Sequence, residues 1–77
     1  MTRLDALKYC FDNIYNIDNN KTLDEVKSVI GEYYLDELAF VNFIGIHYDN
    51  LNKLHKIYLT SLGKAYTTEI FNKKYRK

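Results

Sequence analysis

The side chains that could carry out a chemical reaction are few in this 77-residue sequence, and they lie far apart. Cys10 is the only cysteine, and its neighbours Tyr9 and Phe11 are aromatic, so we expect a thiol packed in a core rather than a reactive thiolate. No serine or threonine lies in a nucleophile elbow, and the three glycines stand alone, so no phosphate-binding loop is predicted. The sequence therefore predicts a protein that is not an enzyme, with no catalytic residue, no cofactor and no small-molecule substrate.

His47 and His55 are the only histidines, and Asp49 is close to the first of them in sequence. A structural zinc site needs four ligands in a closed tetrahedral geometry, which these residues do not supply. We therefore predict no metal site. We interpret the two histidines as partly exposed side chains on opposite strands of a hairpin, suited to contact with a phosphate or a protein partner.

Acidic and basic side chains are distributed unequally along the chain. Residues 1–40 carry four basic and eight acidic side chains, whereas residues 41–77 carry seven basic and two acidic ones. The two halves therefore have net charges of −4 and +5, although the whole chain has only +1. Such a chain can bind an anion with one part and a protein with the other.

The composition predicts one folded domain that spans residues 1–77. Hydrophobic residues make up 47% of the chain and aromatic residues 16%, which is enough for a small core. No apolar run approaches the roughly 20 residues that a membrane span needs, and no signal-peptide core follows Met1. We expect a soluble cytoplasmic protein with no membrane contact.

Two helices are predicted in the first thirty-one residues. The first begins near a weak capping box of Thr2 and Asp5, and the second begins at Thr22, with Glu25 three residues later. Gly31 is placed to end the second helix. The residues expected on the two inner faces are Leu4, Leu7, Phe11 and Ile14 in the first helix, and Leu23, Val26 and Ile30 in the second.

The rest of the chain predicts a third helix, a hairpin and a fourth helix. The third helix covers residues 32–43, with Leu35, Leu38 and either Val41 or Asn42 facing inward. Apolar residues then alternate on both sides of the turn-like sequence "DNLNK", which predicts a β-hairpin. The fourth helix begins near Ser61. Its expected inner residues are Leu62, Tyr66 and Ile70.

This order of elements resembles the winged-helix fold, and one short stretch adds to the resemblance. Small winged-helix proteins commonly end the wing, which is the hairpin, in Leu-Thr-x-x-Gly-x-x-Tyr, and this chain has Leu59, Thr60, Gly63 and Tyr66. We expect Leu59 to be the last inward strand residue and Thr60 to cap the fourth helix. Gly63 should let that helix pass close to the wing, and Tyr66 should pack over the first helix.

The resemblance implies an α+β winged helix of order α-α-α-β-β-α, with a three-helix core, a two-stranded wing and a C-terminal helix. The entry to the wing, "IGIHYD", is similar to that of small prophage or mobile-element members of the family. Many relatives have a longer third helix followed by a Gly-Leu-Ile step. Here Phe43 runs directly into Ile44, so we expect a shortened third helix.

The winged-helix resemblance implies double-stranded DNA as a partner and a role as a regulator or accessory factor, for example in transcription. Phosphate contacts would come mainly from the wing and the last helix. The candidate residues are Asn50, Asn52, Lys53, His55, Lys56, Lys64, Lys73, Lys74 and Arg76. Asn50 and Asn52 have an alternative interpretation as plain turn residues.

The third helix argues against the usual winged-helix use of that helix to read the major groove. Its expected outward residues are Glu32, Tyr33, Asp36, Glu37 and Phe40, which include three acids and no base. Carboxylates are repelled by phosphates. The same residues predict the alternative function, a protein-interaction module: a homodimer, or an inhibitor or accessory subunit of a larger nucleic-acid enzyme.

Overall fold

A computed structural model of the chain describes residues 1–16, 18 and 21–75, with side chains as far as Asn72. The helices and strands are α1 (Arg3–Asn13), α2 (Leu23–Ile30), α3 (Glu32–Phe40), β1 (Ile44–Asp49), β2 (Leu54–Leu59) and α4 (Ser61–Tyr75). The two strands form an antiparallel sheet. The described residues therefore confirm an α+β fold with the predicted order of elements. None of the helices in this part of the chain is long and apolar enough to cross a membrane.

The first two helices begin at the predicted threonines. Thr2 Oγ1 accepts a hydrogen bond from Asp5 N (3.1 Å), and the Asp5 carboxylate accepts one from Thr2 N (3.1 Å). Thr22 and Glu25 form the same reciprocal pair at 3.2 and 3.1 Å. Gly31 follows α2 with φ of 89°, a conformation that glycine adopts without steric cost. Local hydrogen bonding therefore sets these helix ends.

The predicted hairpin is present, and Ile46 pairs with Ile57 at its centre. Asp49 Oδ1 accepts a hydrogen bond from Leu51 N (3.0 Å) in the turn that joins the strands. On its other edge, β2 forms an isolated antiparallel bridge between Lys56 and Thr22. The hairpin is therefore tied to the start of α2.

The core lies between the helices and the base of the hairpin. Its buried apolar residues are Ala6, Leu7, Cys10, Ile14, Val26, Ile30, Leu35, Leu38, Ile44, Ile57, Leu59 and Phe71. Cys10 is fully buried, as expected, and burial raises the pKa of its thiol to about 12. Leu59 N donates to Ile14 O (2.8 Å), which ties the end of β2 to the end of α1.

The junction between β2 and α4 has the predicted local structure. Thr60 Oγ1 accepts a hydrogen bond from Gly63 N (3.1 Å) and donates one to Asn42 O (2.6 Å). Thr60 N donates to Phe43 O (3.0 Å). A Cβ built on Gly63 would overlap that carbonyl oxygen and lie 2.9 Å from its carbon. Thr60 is therefore the cap of α4, and glycine is the residue that fits three positions later.

The inner face predicted for α4 is correct for Ile70, which is half-buried against the core, but wrong for Leu62 and Tyr66. Leu62 and Tyr66 are 51% and 45% exposed, whereas the buried residues are Gly63, Thr67 and Phe71. The close approach of Gly63 to Phe43 fixes the rotation of the helix. Thr67 is accommodated inside because its hydroxyl donates to Gly63 O (2.8 Å).

Other predicted core positions are also corrected. Leu4 is 50% exposed because the buried side of α1 is centred on its neighbours Ala6, Leu7 and Cys10. Val41 and Asn42 are exposed, since α3 ends at Phe40 and Asn42 adopts a positive φ of 65°. The third helix is thus shorter than the segment predicted for it, as the direct run into Ile44 indicated.

The main ring contact of Tyr66 was not predicted. Its ring stacks on Phe43, with ring centroids 4.7 Å apart. Helix α1 meets α4 through Phe11 and Phe71, whose centroids are 5.4 Å apart, and through a hydrogen bond between the Tyr15 and Thr68 hydroxyls (3.1 Å).

Candidate functional site

The tip of the hairpin carries three of the residues predicted to contact DNA. Asn50, Asn52 and Lys53 are all exposed. Asn52 Nδ2 donates to Asp49 Oδ2 (2.8 Å), which holds the turn together. This hydrogen bond, together with backbone donors of the turn, lowers the pKa of Asp49. Asn52 is therefore part of the turn that joins the strands, and its contact with DNA stays a prediction.

The two histidines lie on opposite strands, as predicted, but on opposite faces of the hairpin. His47 pairs with Lys56, and His55 pairs with Tyr48 on the adjacent rung, with the two rings 5.0 Å apart. Adjacent rungs of a sheet present their side chains to opposite faces. His55 and Lys56 therefore cannot contact the same phosphate from one side. Within the described residues, no group of three histidine, cysteine or acidic side chains could hold a metal ion.

One face of the hairpin continues onto the start of α4. One hollow on this face is lined by Asp18, His47, Asp49 and Lys56, and a second is lined by residues that include Asp18, Tyr58, Ser61 and Lys64. Because Asp18 lines both hollows, they form one surface. We call it the outer hairpin surface, and its members are Asp18, His47, Lys56, Tyr58 and Lys64.

The outer hairpin surface contains an acid that the sequence analysis missed. Asp18 lies in the connection between α1 and α2, outside every predicted element, so no local pattern indicated its position beside Lys56 and Lys64. Lys64 also lies over the Tyr15 ring, with Nζ 5.4 Å from the centroid. The surface is therefore of mixed charge rather than uniformly basic.

Three predicted DNA contacts fall at the end of the chain. Lys73 and Lys74 belong to α4, but their side chains lie outside the described residues, and so does Arg76. Their assignment stays a prediction from the sequence.

The outward residues of α3 are largely those predicted. Tyr33 and Phe40 are 70% and 91% exposed, and Glu32 and Asp36 are exposed as well. Glu37 differs, because its side chain is only 26% exposed.

Glu37 is bound by Arg3 of α1. Arg3 Nε and Nη2 donate to its two carboxylate oxygens at 2.7 and 2.9 Å, and this contact lowers the pKa of Glu37. Glu32 lies 3.7 Å from Lys27, whereas Asp36 forms no ion pair with another described residue. The acidic character of α3 is therefore smaller than the count of its carboxylates suggests.

A groove runs between α1, the end of α3 and the start of α4. Its volume is about 290 Å³. Most of its lining is apolar, and the Arg3–Glu37 pair lies at its polar side. The lining residues are Arg3, Leu7, Glu37, Leu38, Val41, Phe43 and Tyr66. We call this feature the α3 groove. No pattern in the sequence indicated it, because three separate elements form it.

Comparison of the chain with family models, curated proteins and solved structures finds no match. We therefore infer function from the outer hairpin surface and from the exposed side of α3 with its groove.

Proposed function

We propose that the protein is a small, non-enzymatic DNA-binding protein of the winged-helix type, a regulator or accessory factor such as mobile elements carry. It contacts duplex DNA through the outer hairpin surface and the C-terminal helix. The order of elements and the capped junction at Thr60 support the winged-helix assignment. The observation that carries the DNA proposal is the placement of Lys56 and Lys64 on one surface, next to the first turn of α4.

The chemistry of this surface suits phosphate rather than base edges. Lysine side chains and the free N–H groups at a helix N-terminus are common phosphate ligands. Base reading by α3 is disfavoured, because Asp36 on its exposed side has no compensating cation among the described residues. We expect binding that depends strongly on salt and weakly on sequence.

Removing one lysine tests whether the outer hairpin surface contacts phosphates. Lys56→Gln is expected to weaken binding to a fluorescently labelled duplex, and to reduce the slope of log affinity against log salt by about 1. Fluorescence anisotropy at several salt concentrations measures both quantities. No binding by the unaltered chain at low salt would contradict the proposal.

Two acids offer a matched comparison that locates the DNA. Asp18→Asn removes a negative charge from the outer hairpin surface, and Asp36→Asn removes one from α3. We expect the first substitution to tighten binding, and the second to change it little. The opposite order would place α3, and not the hairpin, against the phosphates.

A second function, protein interaction, is favoured by the exposure of two aromatic rings on α3. Tyr33 and Phe40 are seven residues apart, so they lie on one face of the helix. Aromatic residues are enriched at protein interfaces. The partner would be a second copy of the chain or a larger protein, such as a nucleic-acid enzyme that the chain assists or inhibits.

The alternative role for these rings, support of the fold, is tested by Tyr33→Ser and Phe40→Ser. Substitution of an exposed residue changes the free energy of unfolding by no more than about 0.5 kcal/mol. At a concentration where the chain is monomeric, the melting temperature followed by circular dichroism should therefore change by no more than about 2–4 °C. A larger fall for either variant would show that the ring stabilises the folded chain.

A further inference from the structure

Phe40 is an apolar side chain that the folded chain leaves almost entirely in water. It is the last residue of α3 and is 91% exposed, and Val41, which follows it, is 42% exposed. Tyr33 extends the same face toward the start of the helix. Exposed aromatic side chains of this kind are enriched at protein interfaces.

The α3 groove begins next to Phe40. Val41 lines it, together with the apolar side chains of Leu7, Leu38, Phe43 and Tyr66. An apolar cavity of about 150 Å³ accepts benzene, so a groove of about 290 Å³ has room for a phenyl ring. Phe40 does not fill the groove of its own chain, since its side chain is exposed.

A projecting ring and a groove that can hold it thus lie side by side on one surface. In a two-fold symmetric dimer the same patch is used by both chains, so the patch must be complementary to itself. We infer that the occupant of the α3 groove is a second copy of this chain, and that each copy places Phe40 in the groove of the other. This inference rests on the protein-interaction function proposed above and names its partner.

The charges around the groove also suit a second copy. Arg3 and Glu37 form an ion pair at the polar side of the groove, so neither positive nor negative charge is in excess where two grooves meet. Arg3 uses two of its five N–H groups for Glu37, which leaves donors for another acceptor. Asp36 lies one turn before Phe40 and forms no ion pair with another described residue. In the dimer its carboxylate would approach the second chain together with the Phe40 ring and could accept these hydrogen bonds.

A stable dimer needs more contact area than the ring and the groove alone. A stable interface buries about 800 Å² on each partner, which is a modest part of the 5327 Å² surface of the chain. Leu62 and Tyr66, both about half exposed on α4, extend the apolar surface around the groove.

Three substitutions test the dimer. Phe40→Ser removes the projecting ring, and Val41→Lys places a charged chain in the groove. Leu51→Ser is the matched control, because Leu51 is 94% exposed but lies at the hairpin tip. Circular dichroism checks that each variant is folded. Sedimentation equilibrium from about 1 μM to about 1 mM gives the dissociation constants.

We expect the unaltered chain and Leu51→Ser to dimerise alike. Phe40→Ser should raise the dissociation constant at least about 100-fold, because each dimer loses two buried rings. Phe40→Ser mixed with Val41→Lys should regain part of the association, since the mixed pair has one intact ring and one intact groove. A gain of this kind is specific to exchange of Phe40.

Other results overturn the inference. A monomer at every concentration excludes the dimer, and so does a loss of association in Leu51→Ser equal to that in Phe40→Ser. If a monomeric chain instead retains a protein from a lysate and Phe40→Ser does not, the dimer is excluded while the interaction function stands. A monomer that retains nothing through this surface removes both.

Discussion

Replacing Gly63 by alanine should destabilise the fold, although the same change inside most helices would stabilise it. The added methyl group gains about 1 kcal/mol in helix propensity. This methyl group, the Cβ of the new alanine, also clashes with the Phe43 carbonyl group. It would lie 2.9 Å from the carbonyl carbon and 3.1 Å from the Cα of Phe43. Overpacking of this kind costs about 1–3 kcal/mol and occasionally more.

Movement of the Phe43 carbonyl would not relieve the clash cheaply. This oxygen accepts the hydrogen bond from Thr60 N (3.0 Å) at the start of α4. Weakening that bond would cost about 0.5–1.5 kcal/mol more. We therefore expect Gly63→Ala to lower the free energy of unfolding by about 0.5–3.5 kcal/mol, because the steric cost and the weakened hydrogen bond together exceed the gain in propensity.

Urea unfolding followed by circular dichroism measures this change, and a melting curve should show a fall of about 4–8 °C for each kcal/mol. Ala65→Gly, at an exposed position of the same helix, calibrates how much helix propensity is worth in α4. An alanine variant as stable as the unaltered chain, or more stable, would show that α4 does not pack against Phe43 as described.

Three further substitutions or treatments have expected outcomes. Thr60→Ala should lower the free energy of unfolding by about 1–2 kcal/mol, because the cap is lost; Thr60→Ser keeps the hydroxyl and should lose less, and the reverse order in urea titrations would contradict this role. Burial raises the pKa of Cys10 to about 12, so iodoacetamide at about pH 8 should alkylate only the urea-unfolded chain. Because this pKa is raised, the contribution of Cys10 to the stability of the fold is fully present below pH 9.0 and is lost as the pH rises toward 12; rapid alkylation of the folded chain would contradict the burial. Arg3 lowers the pKa of Glu37, so the ion pair stabilises the fold above pH 4.5, the ordinary pKa of a glutamate, and this stabilisation is lost as the pH falls through the lowered pKa. Unfolding of Arg3→Gln should therefore depend less on pH in this range, and an unchanged pH dependence would exclude the ion pair.

The parts of the fold that were predictable depend on neighbours in sequence. Thr2, Thr22 and Thr60 each cap a helix through residues three positions later, so their roles can be read from a few letters. The short length of α3 was also predictable from nearby residues, because Phe43 is followed directly by Ile44, the first residue of β1.

The rotation of α4 was not predictable in this way. Leu62, Tyr66 and Ile70 have the same helical spacing as Gly63, Thr67 and Phe71, and the first set is more apolar on average. The second set faces inward because only glycine fits against Phe43, a contact between residues twenty positions apart. A periodic pattern gives the spacing of a buried face, but distant contacts choose between two such faces.

The candidate surfaces show the same limit. The basic residues of the hairpin were identified from the charge distribution, but Asp18 reaches their surface from a distant connection. The exposure of Phe40 followed from helical spacing. The α3 groove beside it needed the placement of α1, α3 and α4 together.

The contact of the first helix with the last has a consequence for the chain during its synthesis. Phe11 packs on Phe71, and the Tyr15 hydroxyl is hydrogen-bonded to that of Thr68. The inner side of α1 is therefore fully covered only when α4 is in place. At about 5–20 residues per second, a ribosome needs roughly 2–6 s to extend the chain from the end of α3 to Phe71. During those seconds the nascent chain lacks the helix that covers Phe11. The apolar residues of α1 therefore cannot reach their final buried positions until α4 has been synthesised.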